Sequence, residues 1–397
     1  MVPSLTKPLA VLTEAPLPAE VRGGIEEYAY SVVAALRDEG HRVTVLTTTF
    51  PTNDRAAPPA GTVTLPARMM LARPLVADPR AYWRTFSLIR RHDVVHLHMP
   101  FPFVEVFSAF AAKIVGTPFI ATYQMDAILD DPMPGHRHRR LSRLIEWAYV
   151  RMSAYPTLRL ATRFVTSTSA YRRESPVLSR VPGDSVTVHQ GIDRSKFQSL
   201  DVARARAIRE GYLQGGAHKL VVFVGRFVPY KGLEYLIEAA EELQGTDIRF
   251  VLGGRGPLHD HIRALIEQKK LTNVQLVGFV PDDDLMNLFY AADVVVSPSI
   301  SLLECTPITL LEASALGTPV LGSTVGGTAE TIPSDGVRGL LVPPRDVPAL
   351  VEGLKRLLRG SGERLPPLPP RFWSDVAAEY SALMVATVAR ANGPDHG

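Results

Sequence analysis

The stretch LVVFVGRFVPYKGLEYLIEAAEEL, residues 220–243, decides the fold class. It begins with a short apolar run rich in β-branched residues (220–224), continues through a loop (225–232), and ends in a segment whose apolar residues follow helical spacing (233–243). An apolar run this short, bounded by glycine, is typical of a buried strand. A strand that leads directly into a helix is half of a βαβ unit, so the stretch predicts a parallel sheet covered by helices.

The same alternation extends in both directions along the chain. Predicted strands are 9–13, 43–47, 94–98, 119–123, 164–167 and 186–189, then 220–224, 248–252, 274–277, 294–297, 319–321 and 340–342. Predicted helices are 25–38, 82–91, 103–115 and 141–160, then 233–243, 258–270, 283–291, 308–315 and 347–358. Two α/β series, each the size of one domain, predict two Rossmann-like domains.

We place the first domain at residues 1–210 and the second at 211–371, because the Gly-rich stretch 211–216 is a natural junction. A loop rich in proline, 360–370, separates the last predicted strand and helix from a final helical segment within 372–397. After so long a connection, we expect this final helix to pack back on the first domain.

Composition excludes several classes of protein. The 397 residues are 46% hydrophobic and 21% charged, which is ordinary for a globular protein, and the single cysteine, Cys305, excludes a disulfide framework. The longest apolar runs are far shorter than the roughly 20 residues that span a bilayer, and the apolar run after residues 1–8 is too short for a signal peptide. These features predict a soluble cytoplasmic protein.

The small net charge of +3 conceals an asymmetry. Residues 1–210 contain 27 Lys/Arg and 19 Asp/Glu, a net of +8, whereas residues 211–397 contain 16 and 21, a net of −5. Opposite signs in the two halves indicate two domains with different surface roles.

Two cations in the loop 225–232 form the first candidate site. Arg226 leaves the end of a strand and Lys231 stands at the start of a helix, an arrangement that suits a diphosphate. The pattern is not a P-loop, because G-x-x-x-x-G-K-[ST] is not met. The alternative is two surface cations at a turn.

Gly23 and Gly24 precede the first predicted helix and form a second candidate. Glycines there let backbone amides approach a ligand, and a helix N-terminus favours phosphate. A turn with no ligand is the alternative. The dinucleotide fingerprint G-x-G-x-x-G is absent at this position, which argues against a redox cofactor.

Two glutamates, Glu304 and Glu312, bracket a loop and the first turn of an apolar helix. Carboxylates accept hydrogen bonds from pairs of hydroxyl groups, so they could hold a sugar and a ribose. Alternatively, acidic residues near helix starts are favourable partners of the helix dipole.

The ordered motifs resemble those of the retaining GT-B glycosyltransferases of family 4. The segments that carry the resemblance are GGIEEYAYSVVAALRDEGHRVTVLT (23–47), DVVHLHMP (93–100), VHQGIDRSKF (188–197), GRFVPYKG (225–232), GGRGPL (253–258), VGFVPDDDL (277–285), ECTPITLLEASALGTPVLGSTVGGTAE (304–330) and GLLVPPRD (339–346). Together they span most of residues 8–390.

The resemblance implies two domains facing a cleft, a nucleotide-sugar donor on the second domain, an acceptor on the first, and transfer with retention of anomeric configuration, without a metal or other cofactor. It implies that Arg226, Lys231 and Glu304 are the catalytic residues. The implied donor site comprises Gly23, Gly24, Arg226, Lys231, the backbone at Val280, Glu304, the backbone at Thr306, Pro307 and Ile308, and Glu312 at the ribose.

Two positions depart from the family pattern. Many members carry a histidine where this chain has Gln124, and the usual glycine after the first glutamate is Cys305. Glutamine cannot act as a base but can donate and accept hydrogen bonds, so we assign acceptor or sugar positioning to Gln124, Asp126 and His98. We interpret Cys305 as a small buried thiol, because no base stands near it in the sequence.

The identity of the partners is less constrained. The basic stretch 135–151 predicts either contact with an anionic membrane or a solvated helix face, and nucleic acid is excluded because no recognised module is present. The acidic run 282–284 precedes a helix, and we interpret it as the start of that helix and not as a metal site.

The acceptor is a lipid-linked glycan, another glycan or a small molecule. Non-catalytic nucleotide-sugar binding, and a GT-B-fold epimerase or phosphorylase, are the competing functions.

Overall fold

The computed structural model describes residues 8–15, 24–49, 61–70, 73–76, 78–101, 104–126, 139–183, 185–213, 217–360 and 365–392. Within them the chain forms two parallel sheets, each enclosed between two layers of helices. The predicted fold class, two Rossmann-like α/β domains, is confirmed. Among these residues no helix is long and apolar enough to cross a bilayer.

The first sheet has seven parallel strands in the order β3-β2-β1-β6-β7-β8-β9. The strands of this half are β1 Ala10–Glu14, β2 Arg42–Thr49, β3 Thr62–Pro66, β4 Arg68–Met70, β5 Arg73–Leu75, β6 Val94–Met99, β7 Phe119–Tyr123, β8 Arg163–Thr166 and β9 Val186–Thr187. β4 and β5 form a separate antiparallel hairpin. The prediction missed β3, β4 and β5. β3 is a half-exposed edge strand without a continuous apolar run, so it lacks the signal that reveals a buried strand.

Helices cover both faces of the first sheet. Those of this half are α1 Gly24–Asp38, α2 Pro79–Ile89, α3 Val104–Val115, α4 Arg139–Tyr149, α5 Tyr155–Leu160 and α6 Ser169–Glu174. α2, α3 and α5 pack on one face and α1 on the other. The predicted helix 141–160 is interrupted by a π-helical turn, Val150–Ala154, between α4 and α5.

The second sheet has six parallel strands in the order β12-β11-β10-β13-β14-β15. These strands are β10 Lys219–Val224, β11 Ile248–Gly253, β12 Val274–Gly278, β13 Val294–Ser297, β14 Val320–Ser323 and β15 Gly339–Val342. The remaining helices are α7 Val202–Tyr212, α8 Leu233–Glu242, α9 His259–Gln268, α10 Asp282–Ala291, α11 Ile308–Ala315, α12 Thr328–Thr331, α13 Val347–Leu358 and α14 Trp373–Ala391. α8, α9 and α13 cover one face of the sheet, and α7, α10 and α11 cover the other.

The chain crosses between the sheets twice, and the two crossings touch. The Ile192 amide donates to the carbonyl of Arg371 at 2.9 Å. After the first crossing, the Asn287 side chain of α10 accepts from the Asp201 amide at 2.7 Å, and α7 packs on α10. The segment 199–212 therefore packs with the second sheet, although the predicted boundary at 210/211 assigns most of it to the first domain. The prediction missed α7, because α7 buries few of its own residues and lacks a strong apolar stripe.

The final helix packs back on the first domain, as expected. The hydroxyl groups of Tyr380 in α14 and Tyr28 in α1 are 2.8 Å apart, and His41 Nε2 lies 2.8 Å from Ser381 Oγ. Trp373 is buried in the same core as α1. α14 thus ties the end of the chain to the first sheet.

The strand order of each sheet reverses at one point. In the first sheet the reversal lies between β1 and β6, and in the second it lies between β10 and β13. Loops that leave the two strands at such a point diverge and open a crevice at the carboxyl ends of the strands, which is where open α/β sheets bind ligands. The topology therefore directs attention to the loops after β1, β6, β10 and β13.

Candidate active site

The loops after β10 and β13 meet at the reversal point of the second sheet. Lys231 Nζ lies 2.5 Å from Glu304 Oε2, although the residues are 73 positions apart. The Ile300 amide also donates to the carbonyl of Tyr230 at 2.8 Å and holds the loops together. Two motifs that the sequence analysis treated separately thus form a single ion pair.

This ion pair is largely shielded from water. The side chains of Lys231 and Glu304 are 15% and 7% exposed, and Ser299 Oγ donates to the same Glu304 oxygen at 2.7 Å. Burial is the largest single effect and disfavours the ammonium, but the charge and hydrogen bond of Glu304, together with Tyr230, outweigh burial and raise the pKa of Lys231. Lys231 is therefore a cation across the neutral pH range.

Arg226 is the exposed member of the site. It stands two residues beyond the end of β10, and its side chain has no hydrogen-bond or ion-pair partner among the residues that the structure describes. Its charge reaches Lys231 and Tyr230. One uncompensated cation beside a paired one leaves net positive charge at the carboxyl end of the sheet, which suits an anionic ligand.

Gly232 allows the loop to turn into α8. Its φ is 66°, and a Cβ atom there would lie 2.1 Å from the carbonyl oxygen of Pro298 in the loop after β13. The contact is backbone against backbone, so neither side can move away as a flexible side chain would. The approach of the two loops therefore requires glycine.

Gly232→Ala should destabilise the protein strongly, because it combines left-handed strain with a steric overlap. Gly278→Ala is the matched control: φ is 69°, but the space around it is open. The control should lose only the strain energy of about 1–2 kcal/mol, and Gly232→Ala about 1–3 kcal/mol more. Equal unfolding temperatures for the two variants would contradict the proposed constraint.

The start of α11 lies beside Glu304. Pro307 precedes the helix, Ile308 is its first residue, and the buried Thr306 hydroxyl donates to the carbonyl of Cys305 at 2.8 Å. First-turn amides of a helix have no acceptor within the helix. The backbone at 306–308 therefore brings hydrogen-bond donors close to the Glu304 carboxylate.

Glu312 lies one turn further along α11 and is 2% exposed. Lys196 Nζ, from the first crossing segment, lies 3.0 Å from Glu312 Oε1. Lys196 is a functional candidate that the sequence analysis missed. It belongs to the motif VHQGIDRSKF, yet nothing in its local sequence indicates a partner more than 100 residues away.

The loop after β12 borders the same edge of the second sheet. Val280 is half-buried here, whereas Phe279 is 61% exposed. The Arg255 guanidinium lies 5.8 Å from the centre of the Phe279 ring. An exposed ring beside a cation provides a flat apolar surface of the kind that stacks on planar ligands.

His98 and Gln124 lie at the carboxyl ends of β6 and β7 and are buried. Gln124 Nε2 donates to His98 Nδ1 at 3.0 Å, so the His98 proton is on Nε2. Burial, with a further effect of His96, lowers the pKa of His98 well below its usual value and keeps the ring neutral. His98 Nε2 and Gln124 Oε1 have no partner within the described part of the chain. They supply one donor and one acceptor beneath α1, whose Tyr28 ring packs against His98.

Asp126 is buried close to Gln124, and its predicted role in acceptor or sugar positioning stays a prediction. Its carboxylate accepts hydrogen bonds from Tyr123, Tyr171 and Ser175 at 2.9, 3.0 and 2.9 Å. These bonds occupy the carboxylate and fix the backbone after β7 against α6. Asp126 therefore helps to hold the backbone next to Gln124 in place.

The two domains touch at the end of β7. The Cys305 thiol donates to the carbonyl of Gln124, which brings the Glu304 loop against the first domain. Burial raises the pKa of this thiol, so Cys305 is the buried thiol that was predicted and not a thiolate.

A second contact closes the same side of the crevice. Glu330, in α12, accepts hydrogen bonds from the amides of Ser169 and Ala170 at 2.8 and 2.5 Å. In return, Glu174 accepts from the Gly326 amide at 3.2 Å. The structure thus holds candidate residues of both domains along one crevice.

Gly24 is the first residue of α1, which follows β1 in the chain, and its contact with a diphosphate stays a prediction. Gly23 lies outside the described residues. His96 and His98 lie on the same face of β6, with ring centres 4.3 Å apart. The acidic run 282–284 forms the first turn of α10, as its helix-start interpretation requires.

Glu14 is a buried carboxyl group that the sequence analysis overlooked. It ends β1 and is fully buried. Ser108 Oγ of α3 donates to its Oε1 at 2.9 Å, and Oε2 has no partner in the described residues. Burial raises the pKa of Glu14 to about 8, although the Ser108 hydrogen bond opposes the shift. A lone glutamate at the end of a strand gives no sequence signal of this environment.

Glu14 should make stability depend on pH between about 4.5 and about 8. The folded chain keeps a proton that the unfolded chain releases near pH 4.5, so the free energy of unfolding falls as pH rises from about 4.5 to about 8, by about 1.4 kcal/mol per unit. Glu14→Gln cannot ionise. Its free energy of unfolding in urea should therefore increase relative to that of wild type as the pH rises from 6 to 8.5. Glu210→Gln on exposed α7 should follow wild type. A constant difference between Glu14→Gln and wild type across this range would contradict the assignment.

A cavity of the second half of the chain lies elsewhere. It has a volume of about 450 Å³ and lies among α7, α13 and the amino ends of β10, β13 and β14; Arg206, Lys219 and Asp293 are among its lining residues. Parallel sheets bind at the opposite edge. The candidate site is marked instead by the charged groups that converge at the carboxyl ends of β10 and β13.

The comparisons with known proteins agree with this geometry. Residues 22–196 match the family model described as Glycosyltransferase Family 4, and residues 205–366 match the one described as Glycosyl transferases group 1. The chain is 30% identical to O-antigen chain mannosyltransferase C of Escherichia coli over 67% of this chain and 66% of that one. It is 28% identical to D-rhamnosyltransferase WbpZ of Pseudomonas aeruginosa over 85% and 84%. Sucrose-phosphate synthase from Thermosynechococcus elongatus has the same fold, with a TM-score of 0.66, 21% identity and 96% of each chain covered.

Two parallel-sheet domains with a cationic site at the crevice between them define a glycosyltransferase of the GT-B fold. The chain belongs to glycosyltransferase family 4, since the two family models together span most of its length.

Proposed function

We propose that this glycosyltransferase is retaining and independent of metal ions, and that it moves a sugar from a UDP- or GDP-linked donor to a hydroxyl group. The observation that carries the proposal is the constellation of Arg226, Lys231 and Glu304 at the reversal point of the second sheet. It combines two cations that suit a diphosphate with a carboxylate that suits sugar hydroxyls, within one crevice.

The chemistry follows from where charge develops. The bond between the sugar C1 and the diphosphate oxygen breaks, a bond from C1 to the acceptor oxygen forms, and the acceptor's hydroxyl proton passes to the departing diphosphate. Negative charge grows on the departing diphosphate, so Arg226 and Lys231 stabilise the transition state more than the bound donor. Because these fixed cations supply the countercharge, we propose that no metal ion is required.

The other residues proposed for the donor site each contact a different part of the donor. Glu304 accepts hydrogen bonds from sugar hydroxyls beside the backbone amides of Thr306 and Ile308. Glu312 accepts from the ribose, and Lys196 holds that carboxylate in position. The backbone at Val280 meets the base, with Phe279 beside it as an apolar surface.

The first domain positions the acceptor and the reacting sugar. Gly23 and Gly24 face the diphosphate from across the crevice, where the N-terminus of α1 favours anions. Gln124 and His98 offer an acceptor and a donor to hydroxyl groups. The two relatives, an O-antigen chain mannosyltransferase and a D-rhamnosyltransferase, support a hexose or deoxyhexose donor and a glycan acceptor for this chain.

Incubation with a panel of UDP- and GDP-sugars tests the proposal, with donor consumption followed in the presence of EDTA. We expect thermal stabilisation and slow hydrolysis with one donor, undiminished by EDTA. An acceptor product with the anomeric configuration of the donor, determined by NMR, is then expected. Inverted product, or dependence on added Mg²⁺ or Mn²⁺, would contradict the corresponding part of the proposal.

A non-catalytic binding subunit is the second candidate function, because Gln124 replaces a histidine that is common in the family. Donor binding without turnover, in the presence of a broad mixture of acceptors, would favour this alternative. Conversion of the donor without an acceptor would instead favour an epimerase. Phosphate-dependent cleavage of a glycan would favour a phosphorylase.

A further inference from the structure

Large apolar side chains are exposed on the outer side of the first domain. Trp83 of α2 is 73% exposed, Ile114 of α3 is 77% exposed and Trp147 of α4 is 60% exposed. Phe110 of α3 is also more than half exposed. The chain contains three tryptophans, and the third, Trp373, is buried. Single exposed apolar residues are ordinary, but several on neighbouring helices indicate an interaction surface.

The helices that carry these residues lie on one face of the first sheet. The Tyr82 and Phe107 rings, 4.9 Å apart, join α2 to α3. Tyr149 and Ser153 both donate to Glu105 of α3, at 3.2 and 2.7 Å, and join α3 to α4 and the π-helical turn. We call the exposed side of this layer the aromatic face, formed by Trp83, Phe110, Ile114, Leu144, Trp147 and Met152.

Basic residues surround the aromatic face. The segments 79–89, 104–115 and 139–154 together contain seven Lys/Arg and two Glu, and one of the two, Glu105, is buried. Arg84 adjoins Trp83, Lys113 adjoins Ile114, and Arg151 follows Trp147 by one helical turn; all three side chains are exposed. Glu146 is the remaining acidic group of these segments.

We propose that the aromatic face docks on the surface of a lipid bilayer that contains anionic lipids. Tryptophan side chains favour the level of the headgroups, and arginines beside them pair with anionic headgroups. A soluble protein partner would not require positive charge on all three segments. The proposal does not depend on the proposed donor or acceptor.

Tryptophan fluorescence and co-sedimentation of the full chain with vesicles test this inference. We expect binding to phosphatidylcholine vesicles that contain about one quarter phosphatidylglycerol, at least about tenfold weaker binding to phosphatidylcholine alone, and weakening as NaCl rises from about 0.05 to about 0.5 M. Binding should shift the emission to shorter wavelength, because Trp83 and Trp147 leave water.

Trp83→Ser/Trp147→Ser should lower binding at least about tenfold. It should also abolish the emission shift, since only the buried Trp373 then remains. Val337→Ser, at a 59% exposed site of the second domain, is the matched control and should bind as wild type does. Equal unfolding temperatures of all three proteins would show that folding is unchanged. Unchanged vesicle binding of the double variant, no binding by wild type, or a dimer that the double variant disrupts would overturn the proposal.

Discussion

Arg226→Ala should lower the rate of sugar transfer by about 10²–10³ without lowering the unfolding temperature. Removing one donor that stabilises a developing negative charge typically has an effect of this size. Arg226 is exposed and unpaired among the described residues, so its loss leaves no buried group without a partner. The expected loss lies in kcat at saturating donor, because the charge grows only as the C1 bond breaks.

Two further variants make this result specific. Arg226→Lys keeps the charge but loses the planar fork of donors, so we expect it to recover only part of the rate. Arg206→Ala removes an exposed arginine of α7, at the opposite edge of the second sheet, and should act as wild type does. Equal losses for Arg226→Ala and Arg206→Ala would indicate a general charge effect and contradict a diphosphate site at β10.

Lys231→Met should destabilise the protein by about 3–5 kcal/mol, because it leaves the Glu304 carboxylate buried without its cation. The double variant Lys231→Met/Glu304→Gln removes the uncompensated charge and should be more stable than Lys231→Met alone. Urea unfolding of the wild type, both single variants and the double variant measures this coupling directly. Both variants that lack Lys231 should also have lost transfer activity.

The ion pair Lys269–Glu241 provides the control for this prediction. It lies on the same domain, but its side chains are 24% and 46% exposed. Lys269→Met should therefore cost less than about 1 kcal/mol. If Lys231→Met were no more destabilising than Lys269→Met, the pair in the crevice would not be the buried, preorganised site described above.

The fold could be predicted because its signal is local. Short β-branched runs such as 220–224 are recognisable without knowledge of their neighbours, and all twelve predicted strands are present within a few residues. The failures were the elements that lack such a run. β3 is an edge strand, α7 buries little of its own surface, and the π-helical turn keeps the helical spacing of its flanks.

The candidate site was predictable where a motif carries chemistry, and not where a partner comes from a distant part of the chain. Arg226, Lys231, Glu304 and Glu312 were all recognised from the sequence. The partnership of Lys196 with Glu312 was not recognised, because more than 100 residues separate the two.

The sequence by itself determined the two α/β series, the cationic loop after β10 and the acidic residues near α11. The tertiary structure alone decided that Lys231 pairs with Glu304, that Asp126 binds three hydroxyl groups, and that Glu14 is buried with a raised pKa. The reason is that residue type and spacing act over a few positions. Burial and pairing, in contrast, depend on which strand ends the sheet order brings together.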